Sequence, residues 1–470
     1  MKKEKNVKAG GFTKQEKNWI LYDVANSAYT LLATALMSFY FKFLSPTDNL
    51  TPIWGSVNMI VTILAVILCP ILGTYADFSK KKNIFMGFAG IGIIGCGILS
   101  MFSLVQGPTI TAILFLIVYI VTELCYTSAN VFYDSMLPDV TTDEKMHKVS
   151  ANGYAWGYIG SCIPFIFCLV FYILGDMVFV EKVSETVVNK PFLGPAFTIC
   201  CLITAVWWFI FTLPLYKSYN QVHFLPKPEK PVKATFQRLG SIFKELAKNK
   251  KALVFLLAFF FYIDGVHTII KMAMSIGSDL GFENFGAVKL VIALFVTQIV
   301  AFPCAIIFGK LSSKFSCEKL LIVCIGAYAL IGVLAVFLRQ EWQFWAMAVG
   351  VGMFQGGIQA MSRSYFTKII PAEISGEFFG IYDIFGKSAA ILGLGLISLL
   401  GSIFPLAEAT WINLSLIPLP ILFLIGLVLF IVSMKIPACE NCSYASETKT
   451  NGASDTATET ASKTTAETVD

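Results

Sequence analysis

The chain alternates between long apolar runs and short polar stretches. Each apolar run is roughly 20 residues long or longer, the length at which an α-helix rising about 1.5 Å per residue crosses the hydrocarbon of a bilayer. A capping-box spacing at Thr13 and Glu16 predicts where the first helix starts. The pattern predicts an all-α polytopic membrane protein with twelve transmembrane helices, at 19–44, 52–74, 84–105, 109–137, 149–175, 192–216, 252–280, 285–308, 320–338, 342–370, 378–404 and 410–434.

The polar stretches divide these spans into two sets of six. A basic N-terminal tail at 1–18 precedes a six-helix bundle at 19–216, and a basic linker at 217–251 leads to a second six-helix bundle at 252–434. The segment 435–470 is rich in Thr, Ser, Ala and Glu, which predicts a disordered tail. Lysine and arginine are concentrated in the N-terminal tail, the linker and the even-numbered loops, so both termini are expected in the cytoplasm.

Composition supports a membrane protein and argues against other classes. Charged residues make up 14% of the chain, against about a quarter in soluble domains. The net charge of +5 lies in loops between spans and indicates no nucleic-acid partner. Cys439 and Cys442 form a lone CxxC without a second pair, so neither a metal site nor a cofactor is expected. No nucleophile–base motif or phosphate loop indicates an enzyme.

The two predicted halves carry similar sequences at matching positions. Tyr22 and Asp23 in the first span correspond to Tyr262 and Asp264 in the seventh. PILGTYADFSKKK after the second span corresponds to PCAIIFGKLSSKFSCEK after the eighth, and YDSMLP at the end of the fourth corresponds to YFTKIIP at the end of the tenth. A repeat of this kind predicts two pseudo-symmetric bundles.

The loop after the second span resembles the signature loop of the major facilitator superfamily. It has the pattern G-x-x-x-D-x-x-K-K, formed by Gly73, Asp77, Lys80 and Lys81. The resemblance implies that the glycine permits close helix packing. It also implies that the acid caps a neighbouring helix end and helps to lock one conformation, flanked by the cations. The second copy has Ser313 in place of the acid, which predicts an asymmetric lock.

Four further motifs resemble a narrower group within this superfamily. They are W-x-L-Y-D-x-A-N-S-A-Y from Trp19, Y-x-D-G-V-x-T from Tyr262, Q-G-G-x-Q-A-x-S-R-S-x-F from Gln355 and E-F-F-G-x-Y from Glu377. Together they look like the "unknown major facilitator" group, which includes the autophagy-related vacuolar effluxers of fungi. That resemblance implies export of amino acids, and the compact chain is similar to bacterial-type members.

Polar residues inside predicted spans are costly in hydrocarbon and mark candidate functional positions. Depth along each helix, at about 1.5 Å per residue, sorts them into two layers. The midplane layer, a candidate for substrate binding or coupling, contains Asn26, Glu123, Asn130, Asp264, His267, Gln298 and Gln355. The layer near the cytoplasm, a candidate gate whose ion pairs break when the site opens inward, contains Asp23, Asp134, Arg363, Asp383 and Lys387.

Each assignment has a structural alternative. For Asp23 it is a favourable early-helix position that complements the helix dipole, and for Arg363 it is a permanent ion pair within the scaffold. For Asp264 it is a fixed pair with Lys271, and for the two glutamines it is hydrogen bonding between helices. The aromatic residues Trp156, Tyr158 and Trp345 are interpreted as lipid-facing or packing residues.

The functional prediction is a secondary transporter that works by alternating access. Its substrate is expected to be a small polar metabolite, with amino acids favoured by the resemblance, and its location the plasma membrane as a monomer. Glu123, Asp264 and His267 are candidates for proton-coupled efflux, because acids and a histidine in a dry site can exchange protons near neutral pH. The alternatives are a proton-coupled exporter of drugs or other organic solutes, and a transport-dead receptor or scaffold on the same fold.

Overall fold

The computed structural model describes most of the chain. The described residues are 11–45, 50–78, 81–104, 108–179, 181–182, 188–189, 191–226, 228, 235, 246–279, 286–403 and 413–437. The side chain of Lys387, Lys80 as a whole, and most of the predicted tails lie outside this description.

Long helices account for nearly all of the described chain. They are α1 (Lys14–Ala35), α2 (Leu50–Ala76), α3 (Lys81–Leu99), α4 (Pro108–Ser135), α5 (Met146–Ile173), α6 (Leu193–Ser218), α7 (Lys250–Asp279), α8 (Gly286–Leu311), α9 (Cys317–Val336), α10 (Glu341–Ile369), α11 (Ser375–Ile403) and α12 (Pro418–Lys435). A short helix, Met37–Leu44, prolongs α1, and a two-stranded hairpin of β1 (Glu181–Lys182) and β2 (Val188–Asn189) lies between α5 and α6.

Within the described residues, nine of these helices are long and apolar enough to cross a membrane, namely α2 to α9 and α12. The helices α1 and α10, which carry Asp23 and Arg363, are not among the nine. The count of twelve spans and the side of the membrane on which the termini lie therefore stay predictions.

The start of α1 follows the sequence signal. The Glu16 backbone N–H donates to the Thr13 hydroxyl at 3.1 Å, and the Thr13 backbone N–H donates to the Glu16 carboxylate at 2.6 Å. The predicted capping box is confirmed. The other Glu16 oxygen accepts from the Thr141 hydroxyl at 2.7 Å, which ties the first turn of α1 to the segment after α4.

Two hydrophobic cores build the protein. One is formed by residues of α1 to α6, and the other mainly by residues of α7 to α12. Across the boundary α5 packs on α8 and α10, and α11 packs on α2 and α4. Large aliphatic side chains such as Ile67, Ile94 and Ile110 are exposed on the outer surface. Apolar exposure on this scale suits contact with lipid rather than water.

The halves approach most closely at one end of the bundle, where α1 begins and α12 ends, here called the terminal end. A Cβ added to Gly73 of α2 would lie 2.3 Å from the Gly376 carbonyl oxygen of α11. A Cβ added to Gly309 of α8 would lie 2.8 Å from the Ala151 Cβ of α5. Only glycine allows such approaches, and they close the boundary between the halves at the terminal end.

The chain after α6 is bound to loops of the first half. The Tyr219 hydroxyl donates to Asp139 at 2.6 Å, and the His223 backbone N–H donates to the same carboxylate at 2.8 Å. The Leu225 backbone N–H donates to the Asp77 carbonyl oxygen at 2.9 Å. The beginning of the predicted linker is thus an ordered strap across the terminal end.

Candidate functional site

A cavity of about 300 Å³ lies between the two halves. Its walls come from α1, α4 and α5 on one side and from α8 and α10 on the other. The lining residues are Asp23, Asn26, Ser27, Thr30, Leu31, Tyr126, Asn130, Tyr133, Asp134, Tyr154, Tyr158, Ser161, Gln298, Gln355, Gln359 and Arg363. Nearly all carry hydrogen-bonding groups, which is unusual for the interior of a chain this apolar.

Arg363 of α10 forms the floor of the cavity. Its Nη1 donates to Asp134 Oδ1 at 2.9 Å, and its Nη2 lies 3.5 Å from Asp23 Oδ2. Its Nε donates to the Ser150 hydroxyl at 3.0 Å, and Nη2 donates to the Ser150 carbonyl oxygen at 3.1 Å. These partners lie on α4, α1 and α5, so one side chain from the second half binds three helices of the first.

Aromatic rings enclose the same guanidinium group. Its Cζ lies 4.2 Å from the ring centroid of Tyr154, 4.7 Å from that of Trp19 and 5.6 Å from that of Tyr133. Cations over aromatic faces are stabilised by about 2 kcal/mol when desolvated, and Arg363 is only 1% exposed. Burial, ion pairs and rings together fix the group in one position.

Asp23 is held by a hydrogen bond from α4 and by close packing against α5. The Tyr133 hydroxyl donates to Asp23 Oδ2 at 2.7 Å, and the Trp19 indole N–H donates to the Tyr133 carbonyl oxygen at 3.1 Å. A Cβ added to Gly153 of α5 would lie 2.3 Å from Asp23 Oδ2 and 3.0 Å from Arg363 Nη2. The site therefore requires a glycine at this position.

Amide and hydroxyl groups line the wall on the side of α1 and α4. Asn26 Nδ2 donates to Asn130 Oδ1 at 2.9 Å. One turn further from the terminal end, the Thr30 and Tyr126 hydroxyls are 2.6 Å apart. Thr30 is exposed whereas Arg363 is buried. The cavity is thus closed at the terminal end and opens at the opposite end.

Three glutamines face the cavity from α8 and α10, and Tyr158 of α5 contacts one of them across the boundary. The Tyr158 hydroxyl donates to Gln359 Oε1 at 2.6 Å. Gln298 Oε1 and Gln355 Oε1 are buried and have no hydrogen-bond partner among the described residues, and Gln355 as a whole is 7% exposed. A buried acceptor without a partner is costly, so these two oxygens are suited to a ligand that donates hydrogen bonds.

The two layers expected from the sequence meet in this single cavity. Its lining includes four residues of the midplane layer (Asn26, Asn130, Gln298 and Gln355) and three of the gate layer (Asp23, Asp134 and Arg363). Asp383 of the gate layer is half-buried on α11 and is not part of the lining. The side chain of Lys387 lies outside the described residues.

The structure does not bring Glu123, Asp264 and His267 to the cavity wall. Asp264 is fully buried and accepts from the Gly393 backbone N–H of α11 at 3.0 Å. Glu123 interacts with buried tyrosines, Tyr29 among them, beyond the open end of the lining. Depth along a helix had placed these three with the others, but the side chains of Asp264 and Glu123 contact neighbouring helices instead.

The signature loop contacts the second half at the terminal end. Asp77 accepts from the backbone N–H groups of Gly376 and Glu377, at 3.0 and 2.9 Å, in the first turn of α11. Lys81 Nζ lies 3.1 Å from Asp77 Oδ1 and donates to the Ser375 hydroxyl at 2.7 Å. Burial raises the pKa of Asp77 to about 6, against the opposing effect of Lys81. A carboxylate at a helix N-terminus is a favourable pairing of charges.

In the second copy of that loop, Ser313 is exposed and its backbone N–H donates to the Lys310 carbonyl oxygen. In the first copy, by contrast, Gly73 lies against Gly376, and Asp77, the residue that corresponds to Ser313, binds the first turn of α11.

Sequence reasoning missed the aromatic part of the site. Tyr158 had been interpreted as a lipid-facing or packing residue; it packs with Ala155, Ala301 and Ala305, and its hydroxyl also binds Gln359 on the cavity wall. Trp156, two residues earlier, is 47% exposed on the outer surface. The available signal was spacing, since Tyr154 and Tyr158 lie four residues apart and share a helix face with Ser161.

Comparison with known proteins shows consistent likenesses. A family model described as "Vacuole effluxer Atg22 like" matches residues 40–436. The uncharacterized MFS-type transporter YxiO of Bacillus subtilis (strain 168) is 40% identical over 424 residues, which are 89% of this chain and 94% of that protein. Autophagy-related protein 22 of Saccharomyces cerevisiae (strain ATCC 204508 / S288c) is 23% identical, over 72% of this chain and 70% of its own length.

Solved structures show the same fold at low identity. The E. coli fucose:proton symporter FucP aligns with a TM-score of 0.68 at 10% identity, covering 90% of this chain and 98% of the symporter. A bacterial homologue of the iron transporter ferroportin, in an outward-facing state, aligns with a TM-score of 0.64 at 13% identity, covering 90% of this chain and 99% of its own. These likenesses show the major facilitator fold.

Proposed function

The chain belongs to the vacuole effluxer Atg22-like family and is a multi-pass secondary transporter of the major facilitator superfamily; on that premise we propose that it moves a small polar metabolite by alternating access of the cavity between its halves. The observation that carries the proposal is the cavity itself. It is polar, lies between the halves, opens at one end, and is closed at the other by Arg363 and the glycine contacts.

In the proposed cycle the Arg363 network is the gate of the terminal end. While Arg363 binds Asp134, Asp23 and Ser150, the cavity is accessible from the opposite end. Withdrawal of Arg363 separates α10 from α1, α4 and α5, and opening also requires the Asp77 contact with α11 to break. Each partner of a buried ion pair is costly to leave alone, so the charges must be rehydrated as the gate opens.

The lysine distribution supports a cytoplasmic terminal end, with twelve spans divided into bundles at 19–216 and 252–434. The described state would then face outward. The proposal also includes proton-coupled efflux through Glu123, Asp264 and His267. It places the protein in the plasma membrane as a monomer. The amino-acid substrate stays a prediction that rests on the resemblance alone.

The test is flux in proteoliposomes that contain the purified full chain. Metabolite pools are loaded inside, and release is followed with and without a pH gradient, for the native protein and for Asp134→Asn. The proposal expects release that needs intact gate residues. Flux unchanged by Asp134→Asn would favour a different pathway, and release indifferent to a pH gradient would remove the proton from the mechanism.

The polar lining argues against the alternative function, an exporter of drugs. A cavity for drugs is expected to be more aromatic and less rich in carboxylates, whereas this lining has two aspartates, three glutamines and two asparagines beside its four tyrosines. The composition of the wall favours a polar metabolite.

A further inference from the structure

We propose that the cavity selects a neutral, polyhydroxylated solute of about monosaccharide size, an inference that rests on the transport function proposed above. It departs from the amino-acid prediction because the one guanidinium among the described lining side chains is already bound by both carboxylates, which leaves no cation for a substrate carboxylate. What the wall leaves available is a set of neutral hydrogen-bonding groups.

Arg363 cannot serve as the receptor for a substrate carboxylate in this state. All three of its nitrogens already donate, to Asp134, Asp23 and Ser150. The rings of Trp19 and Tyr154 lie within 4.7 and 4.2 Å of its Cζ, and 1% of the residue is exposed. Among the lining side chains that the structure describes it is the one cation, so an anion or zwitterion finds no free counter-charge there.

The two carboxylates are engaged as well. Asp23 Oδ2 accepts from the Tyr133 hydroxyl and faces Arg363. Asp134 Oδ1 accepts from Arg363 at 2.9 Å, and its side chain is 22% exposed. A substrate ammonium group would have to share these two carboxylates with the guanidinium already in place, which neutralises one of their two charges.

Carboxamides dominate what remains. Five of them line the cavity: Asn26, Asn130, Gln298, Gln355 and Gln359. A carboxamide has both N–H donors and a carbonyl acceptor, so it can bind two neighbouring hydroxyls, one as donor and one as acceptor. The buried and unpartnered Oε1 atoms of Gln298 and Gln355 require donors, which hydroxyl groups supply and carboxylates lack.

Tyrosine rings and cavity size fit the same class. Tyr126 and Tyr154 are half-buried on the wall and present ring surface on which the C–H face of a sugar-like ring can pack, while Leu31 is the one aliphatic side chain in the lining that is described. A leucine-like side chain would lie against amides, which is unfavourable. The volume of about 300 Å³ is at the lower end of the range for small-molecule sites.

The test is thermal unfolding and calorimetric titration of the purified full chain in nanodiscs. Four sets of probes are compared: neutral polyols and monosaccharides (xylose, glucose, myo-inositol), zwitterions (leucine, glutamine), cations (arginine, choline) and anions (glutamate, succinate). A ligand that binds the folded state raises the unfolding temperature. We expect stabilisation by a member of the neutral set and by none of the charged sets.

Gln298→Leu and Gln355→Leu should each weaken that binding at least about ten-fold, because each removes an acceptor that the ligand satisfies. Gln15→Leu makes the same change outside the cavity, in the first turn of α1, and should leave binding unchanged. Stabilisation by an amino acid or an ion that is lost in Gln355→Leu would overturn the inference and retain the transport function. No stabilisation by any of the four sets, together with no flux in proteoliposomes, would overturn both.

Discussion

Replacing Gly153 by alanine tests the gate with the addition of a single methyl group. The new Cβ would lie 2.3 Å from Asp23 Oδ2, 3.0 Å from Arg363 Nη2 and 3.1 Å from a ring carbon of Trp19. None of these groups can move away freely, because Asp23 is held by the Tyr133 hydroxyl and Arg363 by its own hydrogen bonds. The methyl group therefore destabilises the closed gate. Once α10 withdraws, the contact with Arg363 is lost and the Asp23 carboxylate can turn into the space that Arg363 leaves, so the strain is smaller in the open state.

The size of the effect follows from the cost of overpacking. Forcing an extra methyl group into a well-packed site costs about 1–3 kcal/mol, which shifts the balance between closed and open states by about 5- to 150-fold. Alanine also has a higher helix propensity than glycine by about 1 kcal/mol. That gain applies to α5 in both states and cancels.

The measurement is the distance between spin labels at the terminal end. Cysteines introduced at Asn83 of α3 and Ser313 after α8 are exposed on different halves, whereas the native cysteines in the described residues are buried or half-buried. In native protein the closed state should dominate. In Gly153→Ala the distribution should shift to longer distances, and transport should fall because the gate no longer closes firmly.

The matched control is Gly326→Ala, in α9. A Cβ at that position meets nothing within 4 Å, so the same substitution tests helix propensity and the added methyl without a clash. If Gly153→Ala and Gly326→Ala give the same distance distribution, the contact with Asp23 does not control the gate and the reasoning is refuted.

Two further predictions concern the charges at the terminal end. Arg363→Lys keeps the charge, but one ammonium cannot bind Asp134 and both Ser150 oxygens at once; the same spin labels should report opening, and an unchanged distribution would show that charge alone holds the gate. Burial raises the pKa of Asp77 from 3.8 to about 6. Between these pH values the folded protein holds a proton that the unfolded chain has released. The free energy of unfolding should therefore fall as pH rises through this range, by about 3 kcal/mol in all. Thermal unfolding from pH 4 to 7 should lose this slope in Asp77→Asn and keep it in the control Asp143→Asn, an exposed position; equal slopes in the two variants would contradict the assignment.

Hydropathy and charge predicted much of the architecture because a helix that crosses a bilayer must be apolar over its whole length of about 20 residues. Apolar runs predicted helices, and depth along each helix correctly grouped Asp23, Asp134 and Arg363, which come from three separate helices. Depth says nothing about which face of a helix a residue occupies, because this depends on the neighbours. Asp264 was therefore expected in the cavity, but lies against α11.

The strap at 219–225 shows a second limit. Its sequence, YNQVHFL, mixes polar and apolar residues. It was expected to be part of a basic linker, and no periodicity marks it as ordered. Its order depends on Asp139, a distant carboxylate that accepts from the Tyr219 hydroxyl and from two backbone N–H groups. Contacts of this kind depend on tertiary structure and leave no local pattern.

The glycines on one face of α5 have a mechanical consequence. Besides Gly153, a Cβ on Gly157 would lie 2.8 Å from the Ser27 hydroxyl, and one on Gly160 would lie 2.6 Å from Val24 Cγ1. Along this seam α1 and α5 pack closely over two turns, so we expect the two helices to move together. Arg363 binds both helices of the pair, through Asp23 of α1 and Ser150 of α5, so its withdrawal frees both at once. A solute that displaces α1 on binding is therefore expected to displace α5 as well.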